Sequence, residues 1–381
     1  MYYDERLVFE TNEQSKYRIP NVIATADGGF LAFCNDRRGT LKDHANEADV
    51  VMSKKEKDAT EWSEVKVIAH ENAHSLYIGS AVYDNQTNTA FCFFRCKYIT
   101  TDEFGNEVEA MPLETEPKIK VGEHLLISKD NGKSWDIQPA NVTPVTFKHI
   151  DGNEYEFCGW THGGAHGIQL KSGRLICPSR ESAGAYTDWT DLKDHVYNNA
   201  VYSDDHGKTW KVSLPVQLGT AEGTLIERGD GAVLYNSRAY FGDGKRYTAV
   251  SYDGGESYGE FDTANGLVEE TRMGCNASFI RVPKENLANP ELLPKDASGI
   301  TIFVNPRSTQ RRRITACVSF DDGETFKESK VFWHGQGAYT SLEFNPVSQK
   351  FCLLYEKGTE QNKYGKGIAA VEFDLDWLLS E

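Results

Sequence analysis

The chain has 381 residues, of which 57 are Asp or Glu and 41 are Lys or Arg, giving a formal net charge of −16. Hydrophobic residues make up 39% of the sequence, which is ordinary for a globular protein and allows a sizeable core. So acidic a surface repels phosphate backbones and anionic lipids, and nucleic acid and membranes are therefore not expected as partners. A site for an anionic substrate would have to reverse the local charge with clustered arginine.

The eight cysteines include no CxxC pair, and most of them lie in apolar runs of strand length. Buried free cysteine packs as a small hydrophobe, so this usage favours free thiols in a reducing compartment over a disulfide framework. The opening MYYDERLVFE has no basic stretch followed by an apolar one, and no apolar run is long enough to span a membrane. We expect a cytoplasmic protein as the chain is given, or a secreted or periplasmic one if a signal peptide has been removed.

The predicted elements are short apolar runs separated by clusters of Asp, Gly and Asn. In chain order these runs are FLAFC (30–34), AFCFF (90–94), HLLIS (124–128), RLICP (174–178), AVLYN (232–236), ITIFV (300–304) and FCLLY (351–355). No long segment has helical periodicity, and only the C-terminal LDWLLSE is compatible with a helical turn. The pattern predicts an all-β fold, which we interpret as one domain over residues 1–381.

A motif of the form Ser-x-Asp-x-Gly-x-Ser/Thr-aromatic repeats within this pattern. Its copies lie at 128–135, 203–210, 251–258 and 319–326, with a degraded copy at 53–62 that lacks the glycine. The aspartate can accept backbone N–H groups, the glycine can supply a positive φ and the aromatic ring can pack on a neighbouring strand, so each copy predicts a hairpin turn. We therefore interpret these aspartates as structural. At about 63 residues per unit, the repeat predicts a six-bladed β-propeller.

Several motifs together resemble the sialidase (neuraminidase) superfamily: YRIP at 17–20, the four Asp boxes, DHA at 43–45 and AYTSL at 338–342. The matched positions run from Arg18 to Glu356. The resemblance implies a retaining exo-α-sialidase, which hydrolyses terminal sialic acid from sialylated glycans through a tyrosyl-sugar intermediate and needs no cofactor or metal. A sialoside carries a carboxylate on its anomeric carbon and would repel a carboxylate nucleophile, whereas a neutral tyrosine with an adjacent base avoids that repulsion.

The resemblance assigns the substrate carboxylate to three arginines. They are Arg18 in YRIP, Arg238 in LYNSRAY and Arg311 upstream of the last Asp box, with Arg312 and Arg313 as neighbours that leave the third assignment open. Three guanidinium groups on one carboxylate would give charge-assisted, partly bidentate hydrogen bonds.

The resemblance also implies the residues of the reaction itself. Tyr339, in GAYTSLEF, matches the nucleophile, and Glu222, in EGTLIERGDG, matches the glutamate that polarises it. Glu356, in LLYE, matches the residue that holds the first arginine in place.

Asp43 matches the acid/base residue, and Arg37, six residues before it, matches an accessory arginine that binds the substrate. To donate a proton near neutral pH, Asp43 must have its pKa raised, which partial burial by the substrate could achieve. Asp49 is a rival, but it precedes an apolar run and is expected to start a strand. Arg38 is expected to be a solvated surface residue.

Trp160, His162 and His166 lie where the family has a Gly-Pro-Gly-x-Gly-Ile segment, which this chain replaces with CGWTHGGAHGIQL. The two histidines have no carboxylate partner in sequence, so a metal site is not expected there. Three other aromatic residues could line the pocket or pack in the sheet: Tyr77, Tyr186 and Trp189.

Other activities remain open on the same scaffold. The chain could be a trans-sialidase, a sialidase that forms an anhydro product, or one that prefers the deaminated sugar KDN. A non-catalytic propeller that binds glycans is the alternative from another class, but such a protein would be expected to lose the tyrosine, the glutamate or the acid.

Overall fold

The computed structural model describes residues 1–43, 46–102, 104, 106–110, 117–184 and 189–380, without the side chains of Glu107 and Trp189. Within this part of the chain the structure is built of β-strands joined by short turns, with a single α-helix, α1, over Leu375–Leu379. Three short 3₁₀ helices lie at Trp189–Asp194, Lys284–Asn286 and Pro290–Leu292. The predicted all-β class is confirmed, and so is the predicted C-terminal helical turn.

The strands are, in chain order, β1 (Tyr3–Glu10), β2 (Tyr17–Ala24), β3 (Phe30–Asp36), β4 (Asp49–Lys55), β5 (Lys66–Ala69), β6 (His74–Asp84), β7 (Thr89–Thr101), β8 (Glu107–Ala110), β9 (Gly122–Ser128), β10 (Asp136–Pro139), β11 (Val142–Thr143), β12 (Val145–Lys148), β13 (Glu154–Phe157), β14 (Ile168–Gln169), β15 (Leu175–Ser182), β16 (Val196–Ser203), β17 (Trp210–Val212), β18 (Thr220–Glu227), β19 (Val233–Ala239), β20 (Tyr247–Ser251), β21 (Phe261–Thr263), β22 (Ser278–Pro283), β23 (Gly299–Pro306), β24 (Arg312–Ser319), β25 (Lys327–Asn345), β26 (Lys350–Lys357) and β27 (Gly367–Phe373). Each of the seven apolar runs lies in one of these strands, apart from the first residue of two of them. Their alternating apolar side chains pack between neighbouring sheets.

The sheets form a propeller-like arrangement. Their orders are β2-β3-β4-β5, β10-β9-β7-β6, β11-β17-β16-β15-β14, β18-β19-β20-β21 and β1-β27-β26-β25-β24-β23-β22, beside a small β12-β13 hairpin. Strands near the inner edges contact one another in a closed ring: β2 with β6, β6 with β15, β15 with β18, β18 with β22, β22 with β25, and β25 with β2. These contacts close the sheets into a ring.

The largest sheet is divided by its long strand. β25 pairs with β24 as far as Gln336 and with β26 from Gly337 onward, so one strand serves two four-stranded groups. The second group is completed by β1, which pairs antiparallel with β27 from Tyr3 to Glu10. The N-terminal strand therefore closes the sheet made by the C-terminal strands, which ties the two ends of the ring together.

The four complete Asp boxes form the predicted hairpin turns, between β9 and β10, β16 and β17, β20 and β21, and β24 and β25. In the first, Asp130 accepts hydrogen bonds from the backbone N–H of Ser134 at 2.9 Å and from the hydroxyl of Ser128 at 2.8 Å. The same network recurs in the other three copies. In the degraded copy the hydroxyl of Ser53 instead donates to the carbonyl of Ser63 at 2.7 Å. The aspartates of the four complete copies therefore stabilise the hairpin turns.

All eight cysteines are free thiols, and seven of them are buried as expected; Cys158 is the exposed exception. Within the described ranges, no helix is long and apolar enough to cross a membrane.

Candidate active site

A cavity of about 440 Å³ is lined by residues of several ring strands. Arg18 reaches it from β2, Tyr77 from β6, Glu222 from β18 and Tyr339 from β25. These residues are far apart in the sequence, and they meet because each lies near the start of an inner strand or, for Tyr339, just after β25 changes partners. The cavity is therefore a product of ring closure.

Tyr339 and Glu222 form a buried hydrogen-bonded pair in this cavity. The phenol of Tyr339 donates to Glu222 Oε1 at 2.6 Å, and Arg238 Nη1 donates to the phenol oxygen at 3.1 Å while also pairing with Glu222 Oε2. Burial would raise the pKa of Glu222, but Arg238 and Arg180 hold it far below its ordinary value. Burial and the Glu222 carboxylate raise the pKa of Tyr339 well above its ordinary value. The pair is therefore a phenol that donates to an ionised carboxylate.

Glu356 connects the first arginine to the backbone of Tyr339. Its Oε1 accepts from Arg18 Nε at 2.5 Å and from the Ile19 N–H at 3.0 Å, and its Oε2 accepts from the Tyr339 N–H at 3.1 Å. Glu356 is fully buried, so these contacts satisfy a charge that would otherwise be costly. Ile19 has a φ of 64°, a strained value for a β-branched residue, at a bulge between Arg18 and Asn21. One carboxylate thus fixes both a cation and the strand that carries the phenol.

Asp43 lies at the mouth of the cavity. Its Oδ1 is 2.6 Å from Arg37 Nη1 and 3.3 Å from Arg18 Nη1, while 63% of its side chain is exposed. Arg37 also donates to the carbonyl of Lys42 at 2.9 Å, which fixes the segment that ends in Asp43. The next residues of the DHA motif, 44 and 45, lie outside the described part of the chain.

The structure places Arg311 in the cavity, where it donates to the Tyr364 phenol at 3.1 Å and to the Gly274 carbonyl at 3.0 Å. Its neighbours point elsewhere: Arg312 is exposed and Arg313 pairs with Glu328. Of the three neighbouring arginines, Arg311 is the one that lines the cavity.

Asp49 lies outside the cavity. It starts β4, as expected. Its carboxylate accepts hydrogen bonds from Arg38 Nε at 3.0 Å and from Arg38 Nη2 at 2.8 Å, and it also contacts His70. Arg38 is an exposed surface residue, as expected, and it forms this two-pronged ion pair and also contacts Glu47.

The residues that stand in place of the family's glycine-rich segment line two different pockets. Trp160 lines the cavity, with the Arg95 guanidinium 4.0 Å from its ring centroid. His162 also lines it; burial lowers its pKa to about 4, and its Nε2 accepts from a backbone N–H at 3.3 Å. His166 lies in another pocket, where its Nε2 is 3.5 Å from Glu343. The two histidines therefore do not converge.

Among the described residues no group of three or more His, Cys, Asp and Glu side chains could hold a metal ion. Of the other aromatic candidates, Tyr77 lines the cavity and donates to Glu109 at 2.7 Å. Tyr186 and the side chain of Trp189 lie outside the described residues.

Sequence reasoning missed several cavity residues: Arg180, Tyr240, Met273, Lys363 and Tyr364. A signal for Arg180 was present, because Ser179–Arg180 follows an apolar strand as Ser237–Arg238 does. Arg180 Nη1 lies 4.0 Å from Glu222 Oε1, so the two arginines flank the same carboxylate. No comparable pattern marks Lys363 or Tyr364.

Known proteins resemble this chain in sequence and in fold. A family model described as a BNR repeat-like domain matches residues 28–366. A sialidase of Micromonospora viridifaciens is 32% identical over 380 residues, covering 95% of this chain and 52% of that protein. A sialidase of Paraclostridium sordellii is 27% identical over 372 residues, covering 92% and 84%. The solved structure of Hadza microbial sialidase Hz136 has a TM-score of 0.72 at 21% identity, covering 95% and 66%.

The chain therefore belongs to the BNR repeat-like domain family, and it is similar to these sialidases. It spans about half the length of the Micromonospora relative. The likeness to the solved structure concerns the fold, which is the propeller arrangement built above from strand contacts.

Proposed function

We propose that this chain is a retaining exo-α-sialidase that hydrolyses terminal sialic acid from glycans through a tyrosyl-sugar intermediate. The observation that carries the proposal is the 2.6 Å hydrogen bond from Tyr339 to Glu222 in a cavity lined by arginines. A carboxylate-bearing sugar needs cations to bind it and a neutral nucleophile to attack it. This cavity offers both, although the chain as a whole is strongly acidic.

In the first step, Asp43 would protonate the glycosidic oxygen as the bond from that oxygen to the anomeric carbon breaks. The Tyr339 oxygen would bond to the same carbon, and its proton would pass to Glu222. In the second step, a water molecule would attack the carbon and give its proton to Asp43. The Tyr339 oxygen would leave and take its proton back from Glu222.

The charges in the cavity suggest how substrate binding would prepare these groups. Arg238 and Arg180 keep Glu222 a poor base while both guanidinium groups lie beside its carboxylate. A substrate carboxylate that draws on Arg238 would weaken this hold, and the proton affinity of Glu222 would rise. The same carboxylate would compete with Asp43 for Arg18 and Arg37, which favours the protonated form that an acid needs.

We further propose that the scaffold has six blades. The closed ring of six contacting strands supports this count, as does the division of β25 between two four-stranded groups. The four Asp-box turns and the degraded fifth each follow the third strand of such a group.

The direct test is turnover of a fluorogenic α-sialoside, with Tyr339→Phe as the matched control. We expect the wild-type chain to release the fluorophore and the variant to fall to background. Product NMR then separates the outcomes: an initial α-anomer of free sialic acid indicates retaining hydrolysis, an anhydro sugar indicates internal attack, and a new glycoside indicates transfer. No turnover above the control would refute the proposal and favour a glycan-binding role.

A further inference from the structure

The cavity holds more positive charge than its carboxylates balance. Its six cationic side chains are Arg18, Arg37, Arg180, Arg238, Arg311 and Lys363. Against them stand three carboxylates, which are Asp43, Glu222 and the buried Glu356 behind Arg18. A charge that is partly desolvated is stable only when it is paired, so the surplus has to be met by whatever binds.

Most of the cations are already paired. The ion pairs are Arg18 with Glu356, Arg37 with Asp43, and Arg180 and Arg238 with Glu222. Among the described residues, the Arg311 side chain donates hydrogen bonds only to the Tyr364 phenol and to the Gly274 carbonyl. In the described part of the chain, Lys363 makes neither an ion pair nor a hydrogen bond. Two cations therefore lack a counter-ion.

Lys363 lies on the wall that carries Arg18 and Arg311. Its Nζ is 5.2 Å from the ring centroid of Tyr364, and the Arg18 guanidinium is 3.5 Å from the same centroid. Partial burial and the charges of Arg311 and Arg18 lower the pKa of Lys363, while Glu270 is the carboxylate that opposes this effect. The Glu270 carboxylate already accepts two backbone N–H groups at 3.1 and 3.0 Å.

We infer that Lys363 is a specificity-determining residue, which makes the cavity favour sialosides whose leaving sugar carries a second anionic group. The inference rests on the proposed function, in which one substrate carboxylate binds Arg18, Arg238 and Arg311. A single carboxylate cannot also neutralise Lys363. Terminal sialic acid carries only that one anionic group, so a second anion in the substrate has to belong to the leaving sugar. A sulfate ester or the carboxylate of a second sialic acid has the required charge.

The test compares three substrates: 3′-sialyllactose, its analogue sulfated on the galactose 6-hydroxyl, and an α2,8-linked disialyl lactose. We expect kcat/KM to be higher for at least one of the two dianionic substrates, and which one is preferred identifies the anion. Lys363→Gln should reduce the kcat/KM of that substrate roughly tenfold more than that of 3′-sialyllactose, the loss typical of one charged hydrogen bond. Lys363→Arg should keep most of the preference, and added salt should weaken it.

Lys366→Gln is the matched control, because Lys366 is an exposed lysine on the same loop and lies outside the cavity. It should leave all three kcat/KM values unchanged. An equal loss on every substrate in Lys363→Gln would overturn the inference, as would a wild-type chain that cleaves 3′-sialyllactose without preferring either dianionic substrate. If Lys363→Gln does not fold, the wild-type ratios and their salt dependence decide the question. Failure to cleave any of the three refutes the proposed function itself, and the inference with it.

Discussion

The two sides of the cavity are held in different ways. The phenol side, with Tyr339, Glu222 and Arg238, comes entirely from strands, is buried and is held by hydrogen bonds among these residues. The acid side is Asp43, on the loop between β3 and β4. The carboxylate of Asp43 is mostly exposed and forms ion pairs with Arg18 and Arg37. The first side is held by contacts within the protein, whereas the second is held by cations that an anionic substrate would also use. Substitutions should therefore act differently on the two sides.

The largest effect is expected on the phenol side. Glu222→Gln keeps the size of the side chain and can still accept the phenol hydrogen bond, but it removes the base. We expect kcat to fall roughly 10³-fold, within the range of general base catalysis, while thermal unfolding shows an intact fold. Steady-state kinetics on a fluorogenic sialoside measure this. A kcat within a factor of a few of wild type would show that Glu222 does not take the proton. Glu154→Gln, which makes the same change of charge on an exposed side chain, controls for net charge.

On the acid side the loss should depend on the leaving group. Asp43→Asn removes the proton donor from an exposed side chain, so the fold should be unaffected. We expect kcat for 3′-sialyllactose to fall roughly 10²-fold, and kcat for a 4-methylumbelliferyl sialoside to fall much less, because a phenol leaves with little help from a proton. Both substrates are measured in parallel on one enzyme preparation. Equal losses on the two would point to Asp43 as a binding residue and would erase the distinction between the two sides.

A related contrast, between local and long-range features, determines how much of the structure could be predicted from the sequence. Apolar runs and Asp boxes are local signals, and they predicted strands and turns that the structure contains. Arg18, Arg238 and Tyr339 stand in recognisable motifs, so their convergence could be anticipated. The pair of Arg38 and Asp49 could not, because it depends on the register of β3 against β4.

Residues brought in by ring closure also escaped prediction. Lys363 and Tyr364 follow β26 and reach the cavity only because the last strands return to the first. The role of β25 in two strand groups likewise could not be predicted from its sequence, since a segment of 19 residues is long enough for two strands of ordinary length. Long-range contacts of this kind produce no periodic pattern in the amino-acid sequence.

A third effect should separate Arg311 from its neighbour. Arg311→Ala removes one carboxylate-binding cation, and we expect the affinity for an unsaturated sialic acid analogue to fall roughly 10- to 100-fold. Arg312→Ala changes the same charge on an exposed side chain and should leave the affinity unchanged. Isothermal titration of the three proteins gives the comparison. If Arg312→Ala were the damaging change, the carboxylate would lie on a different wall of the cavity.

The smallest effect should lie far from both sides, in the Asp boxes. Hydrogen bonds from Ser134 hold the pKa of Asp130 at about 2, below its ordinary value. A carboxyl group with a depressed folded-state pKa stabilises the fold above its unfolded pKa of about 4, and this contribution is lost as the pH falls toward 2. Asp130→Asn should therefore lower Tm by a few degrees at pH 7 and by less at pH 3, without changing activity. Asp136→Asn, in the same hairpin, changes the same charge and should shift Tm less at pH 7. If the two variants behave alike at both pH values, net charge and not the turn network accounts for the difference, and the Asp box contributes to folding only through its backbone geometry.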